Sequence, residues 1–80
     1  MKVFACGEEF ELNDDIIDFY KQYSGDEVDE LLVKACFFAS FHEPDEVVIK
    51  RPKEEICAAI EQCLIETIEA GWGITYNKKM

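Results

Sequence analysis

Long hydrophobic runs, histidine, glycine and proline are all scarce in this sequence. No stretch of about 18 apolar residues occurs, and we therefore expect no membrane-spanning helix. His42 is the single histidine, and the second histidine that a zinc-protease helix places four residues away is missing. With four glycines and two prolines in 80 residues, the chain has no linker-like stretch, and we expect one domain over residues 1–80.

Motifs that carry catalysis or hold a cofactor are also missing. The sequence contains neither the Gly-x-Gly-x-x-Gly dinucleotide-binding motif nor a P-loop, and it has no EF-hand loop. Cys57 and Cys63 are six residues apart, a spacing that fits neither a redox pair nor a zinc knuckle. Adjacent carboxylates are so frequent that no pair is singled out for acid–base chemistry. We expect a protein that is not an enzyme, with no catalytic residue, no cofactor and no metal site.

Four cysteines leave two interpretations open, namely two disulfides or four free thiols. Cys36 and Cys57 lie within apolar helical patterns, where a free cysteine acts as a small hydrophobic residue. The first residues do not form the apolar segment of a signal peptide. We therefore expect free thiols in a reducing cytoplasm.

Negative charge dominates what is present. The formal net charge is −10, with 18 acidic and eight basic residues. Residues 1–46 contain thirteen acids and three lysines, whereas residues 47–80 contain five acids and five bases. Such a charge repels nucleic acid and anionic lipid and attracts basic surfaces, so we expect neither direct nucleic-acid binding nor membrane binding. The alternative is that the charge serves solubility alone.

The first half of the chain predicts a hairpin followed by two helices. Residues 2–6 and 9–12 read as short strands, the second with alternating polar and apolar residues. Asn13 is a good N-cap for a helix that ends at Ser24-Gly25. A second helix from Asp26 to about His42 places one group of apolar residues on a single face: Val28, Leu31, Leu32, Ala35 and Ala39.

The second helix is also apolar on its opposite side. Val33, Phe37 and Phe41 lie there, so the helix is either packed on two sides or exposes Phe37 and Phe41 to a partner.

The second half predicts a strand, a long helix and a last strand. Val47-Val48-Ile49 is a β-branched run that favours a strand, and Pro52 suits the first turn of a third helix that ends at Gly71. Residues 72–76 are expected as a short strand and residues 77–80 as a frayed end. The fold class is therefore α+β, a small antiparallel sheet of three to four short strands with three helices in the order ββααβαβ. An all-α three-helix domain is the alternative.

Two functions are consistent with this pattern. The first is an inhibitor or adaptor that docks on the basic, nucleic-acid-binding surface of a partner protein, which is how some small acidic phage proteins act, including anti-CRISPR proteins and DNA mimics. That comparison rests on size and charge alone. Its candidate partner-binding residues are the acids of the first two helices: Asp14, Asp15, Asp18, Asp26, Glu27, Asp29 and Glu30.

The second function is a homo-oligomeric structural or assembly module. Such a module would associate with itself, for example as a homodimer, through apolar residues that the predicted helices do not turn towards the core. These residues are Phe37, Phe41 and Ile65. In that case the acids would serve solubility.

Overall fold

The structure is a computed structural model that describes residues 1–76. It contains a two-stranded antiparallel hairpin and four helices: β1 (Lys2–Ala5), β2 (Glu8–Glu11), α1 (Asp14–Ser24), α2 (Glu30–Phe41), α3 (Asp45–Val48) and α4 (Lys53–Trp72). The mixed α+β class is confirmed, and the hairpin is incompatible with the all-α alternative. The expected fraying of residues 77–80 lies outside the described residues.

The hairpin closes through a two-residue turn. Cys6 and Gly7 both adopt positive φ, 54° and 77°, which is the backbone that matches the twist of a tight hairpin. Val3 pairs with Phe10, so the alternation of β1 and β2 turns both side chains inwards.

Helix caps explain where α1 and α2 begin. The Asn13 side chain accepts a hydrogen bond from the Asp15 backbone N–H at 2.8 Å, and Asp29 does the same for Leu32 at 2.9 Å. Gly25 ends α1 in the left-handed conformation, as expected. The second helix therefore begins at Glu30 rather than at Asp26, because the side chain that caps it is Asp29.

The core is built around α4. Its fully buried residues recur every four positions, Ile56, Ile60, Leu64 and Ile68. This face packs against α1, α2 and β2, while α2 also packs on β1 and α3. The hairpin contributes Phe10, whose ring meets that of Phe37 edge to face at 5.9 Å between centroids.

Three predictions about the elements are wrong. Val47-Val48-Ile49 is not a strand: residues 45–48 form the short helix α3, which begins after Pro44 and buries Val48. Residues 73–76 form no strand, and α4 continues through Gly71 to Trp72 before Gly73 ends it. The order is therefore ββαααα within residues 1–76, with two strands rather than three or four.

The predicted inner face of α2 is also wrong. Val33, Cys36 and Phe37 are buried, whereas Leu31 is 77% exposed and Ala35 and Ala39 face solvent. Of the five residues predicted to face inwards, only Val28, which precedes the helix, is buried, and Leu32 is half-buried. The helix therefore turns a different face towards the core. Its core contacts are those of Phe37 with Phe10 and of the neighbouring residues with α4 and β1.

Candidate partner-binding surface

The acids of α1 differ in how far they are already paired. Asp14 Oδ1 accepts a hydrogen bond from the Met1 amino group at 2.6 Å, and that bond raises the pKa of the amino group. Asp15 and Asp18 are exposed, and within residues 1–76 neither forms an ion pair. Asp14 therefore holds the Met1 amino group in place, whereas Asp15 and Asp18 are exposed to solvent.

Three of the predicted acids gather at the loop between α1 and α2. Asp26, Glu27 and Asp29 line a hollow of about 390 Å³, which we call the acidic hollow. Its remaining lining residues are Tyr20, Leu31, Leu32 and Ala35. The hollow is therefore lined by both apolar side chains and carboxylates, a combination that fits a ligand with both apolar and cationic groups.

The carboxylates of the acidic hollow are only partly neutralised. Glu27 forms an exposed ion pair with Lys21 at 3.2 Å, and Asp29 accepts the capping bond of α2. Asp26 is exposed, and no ion pair to it occurs in the described part of the chain. Exposed pairs of this kind are worth at most about 1 kcal/mol, so the hollow stays electrostatically negative.

Glu30 is directed to a different place. Its Oε2 accepts a hydrogen bond from the Cys6 backbone N–H at 2.9 Å, which ties the turn of the hairpin to the start of α2. Of the seven predicted acids, Asp26, Glu27 and Asp29 line the acidic hollow, Asp14 and Glu30 accept hydrogen bonds from the Met1 amino group and the hairpin turn, and Asp15 and Asp18 are exposed on α1.

Sequence reasoning missed an exposed apolar surface on α2. Leu31, Ala35, Phe38 and Ala39 share one side of the helix, which we call the outer face. Phe38 is 69% exposed, and its ring contacts only the edge of His42 among aromatic groups described, at 5.9 Å. Leu31 and Ala35 also line the acidic hollow, so the outer face continues directly from it. The sequence did contain a sign of this surface, because α2 is apolar on all sides. The prediction assigned the wrong side of the helix to the core.

The three residues expected to mediate self-association lie in three different environments. Phe37 is completely buried, so its side chain is not part of any surface. Phe41 is half-buried beneath the Arg51 guanidinium, which stands 4.7 Å from its ring centroid. Ile65 is half-buried in a separate groove between α1 and α4. Self-association itself remains a prediction, but these residues do not define a common surface for it.

Two carboxylates that line the groove at Ile65, a cavity of about 460 Å³, accept hydrogen bonds from the backbone. Glu61 accepts a hydrogen bond from the Asn13 backbone N–H at 2.8 Å, and Glu69 accepts one from Tyr76 at 2.9 Å. Both carboxylates are thus engaged in joining elements of the fold, which leaves the acidic hollow as the better candidate for a partner.

Two basic residues at the start of α4, Arg51 and Lys53, pair with acids of the same chain. Arg51 bridges Glu43 and Glu55, and Lys53 Nζ lies 3.5 Å from Glu8. These pairs join the loop before α3, the start of α4 and the hairpin at the surface.

The four cysteines are free thiols. Cys36 and Cys63 face each other between α2 and α4, where a hydrogen bond from the Cys36 thiol lowers the pKa of Cys63 to about 7 and raises that of Cys36. Burial raises the pKa of Cys6 and Cys57. Within residues 1–76, no three side chains of histidine, cysteine, aspartate or glutamate gather as a metal site.

Comparisons with protein-family models, with curated proteins and with solved structures find no match to this chain. Among residues 1–76, no helix is both long enough and apolar enough to cross a membrane. The assignment of function therefore depends on the surface itself.

Proposed function

We propose that this protein is a small acidic binding protein, an inhibitor or adaptor without catalytic activity, that docks on a basic surface of a partner protein. The observation that carries the proposal is the acidic hollow, which is lined by Asp26, Glu27 and Asp29 together with apolar side chains. Interfaces typically combine an apolar centre with a polar rim, and complementary charge on the rim steers the partners together.

A nucleic-acid-binding surface is the kind of basic surface that this charge suits best. Lysines and arginines that neutralise phosphates would be attracted equally by closely spaced carboxylates. The protein would then compete with nucleic acid for those side chains, as inhibitors that mimic DNA do. Its size and net charge of −10 match those of phage proteins that block bacterial defence, and we place it in that class by analogy.

The proposal is tested with two variants of equal net charge. The first is Asp26→Asn with Glu27→Gln, which removes two carboxylates from the acidic hollow. The second is Glu46→Gln with Glu54→Gln, which removes two exposed carboxylates from α3 and α4. Proteins captured from the native host by the wild type are identified by mass spectrometry, and their binding kinetics are then measured for both variants.

We expect a basic partner whose binding weakens steeply with salt, because screening shortens to about 8 Å at physiological ionic strength. The hollow variant should lose association rate more than the control variant does. Equal binding by the two variants would contradict the role of the hollow and leave the charge as a solubility feature.

A homo-oligomeric module is a second candidate, because Leu31 and Phe38 are exposed on the outer face. Sedimentation equilibrium of the wild type and of Phe38→Glu at high micromolar concentration tests it. A dimer that is lost in the variant would favour this candidate, and a monomeric wild type would eliminate it.

A further inference from the structure

We infer that the acidic hollow and the outer face of α2 together form one docking groove for an amphipathic, positively charged helix of the partner protein. This inference rests on the proposed function and names the kind of segment that the surface receives. It is carried by an apolar helix face that is continuous with a set of carboxylates at one end.

The outer face has the dimensions of a helix-binding site. Leu31 and Phe38 are seven residues apart on α2, so their side chains are separated by about 10 Å along the axis at 1.5 Å per residue. A partner helix with apolar residues at positions i, i+3 or i+4, and i+7 presents a matching row. Ala35 and Ala39 lie beside this row, and their small side chains let a second helix approach closely.

The carboxylates give the groove a direction. Asp26, Glu27 and Asp29 all precede α2, so the negative charge stands at the N-terminal end of the outer face. At the other end, α2 has no acidic residue after Glu30; of the acids that follow it, Glu43 pairs with Arg51, and Asp45 and Glu46 belong to α3. A partner helix should therefore carry lysine or arginine at the end that meets the hollow.

Charge favours a basic helix of a partner protein over a second copy of this chain as the occupant of the docking groove. Two copies would bring together net charges of −10 each, with no group of free cations on α2 beyond Lys34 to oppose the acids. Repulsion between like charges disfavours that arrangement. A basic helix gains from the same carboxylates that a second copy would find unfavourable.

The experiment uses three fluorescent 18-residue peptides and the full-length protein. The first peptide has leucines on one helical face and lysines on the other, the second has the same composition in scrambled order, and the third has glutamate in place of lysine. Binding is measured by fluorescence anisotropy at low and physiological salt. The protein variants are Leu31→Gln with Phe38→Gln, and a control, Phe4→Gln with Trp72→Gln, which removes two exposed apolar side chains elsewhere.

We expect the amphipathic lysine peptide to bind about tenfold more tightly than the scrambled one, since the apolar row supplies the central contacts. The glutamate peptide should not bind. The Leu31→Gln, Phe38→Gln variant should lose most of this preference, and the control variant should retain it.

Two results would overturn the inference in different ways. Equal binding of the amphipathic and scrambled lysine peptides would show that charge alone attracts them, which removes the docking groove and leaves the proposed function intact. A wild-type dimer that dissociates in the Leu31→Gln, Phe38→Gln variant would make a second copy the occupant. Failure of the proposed function is read separately, from the Asp26 and Glu27 variant described above.

Discussion

Phe37 and Phe38 are adjacent in the sequence, but replacement by alanine should destabilise the protein strongly at Phe37 and hardly at all at Phe38. The Phe37 side chain is completely buried against Phe10, whereas Phe38 is 69% exposed. Phe37→Ala leaves a cavity at the contact between α2 and the hairpin, which costs about 3–5 kcal/mol of unfolding free energy. Since an 80-residue core supplies a margin of only about 3–5 kcal/mol, we expect this variant to be largely unfolded at room temperature.

Phe38→Ala should be nearly neutral. An exposed substitution changes stability by about 0.5 kcal/mol or less, and alanine is the better helix former at that position. A change of 1 kcal/mol shifts the melting temperature of a domain this size by about 4–8 °C, so we expect a shift below about 4 °C for Phe38→Ala.

Urea unfolding followed by far-UV circular dichroism compares the two variants with the wild type. Phe37→Leu is included because it loses less volume and should cost about 1–2 kcal/mol, which keeps the transition measurable. If Phe38→Ala were as damaging as Phe37→Ala, the orientation of α2 and the outer face would both be refuted.

Three further predictions concern a helix end and the thiols. Gly25→Ala should destabilise the protein by about 1 kcal/mol in thermal unfolding, because φ is 75° there and no neighbouring atom within 4 Å adds to the strain. Cys63 should react with iodoacetamide faster than Cys57 near neutral pH, and its rate should rise as the pH passes the Cys63 pKa of about 7. Peptide mass spectrometry measures both rates, and a faster reaction at Cys57 would contradict this prediction. Dithiothreitol should leave the melting temperature unchanged, since all four thiols are free, and a drop of several degrees would refute that.

Local signals in the sequence were sufficient for the elements with clear boundaries. Asn13 and Gly25 enclose α1 through a side-chain cap and a left-handed glycine, both of which depend on a single residue type. Pro52 likewise marks the start of α4, where it is the N-cap, because a proline lacks only an N–H that would be unpaired at that position. Such features are decided locally, and the tertiary structure only preserves them.

The misplaced elements are those where tertiary packing decides between comparable alternatives. Val47-Val48-Ile49 has strand propensity, yet a run of three residues after Pro44 gains more from one helical turn that buries Val48. In α2, the face of Leu31 and the face of Phe37 are similarly apolar, so the choice depends on which one the hairpin can receive. That information lies in Phe10, far away in the sequence.

The acidic site was predicted in composition but not in arrangement. The excess of negative charge in residues 1–46 is plain in the sequence. The arrangement of these acids depends on contacts with distant parts of the chain. Asp14 contacts the Met1 amino group and Glu30 contacts the hairpin turn, whereas Asp26 lines the acidic hollow. The outer face could not be found until the orientation of α2 was known.

The central position of α4 has a consequence for synthesis of the chain. Within residues 1–76, twelve of the sixteen buried apolar residues precede α4, and the helix that covers many of them comes after all the other described elements in chain order. A nascent chain up to residue 52 therefore lacks the helix on which α1 packs, and it lacks one of the elements on which α2 packs, whereas β1 and α3 are already present. Burial of the inner face of α1 must wait until α4 has been translated, and until then the net negative charge of residues 1–46 opposes association between such chains.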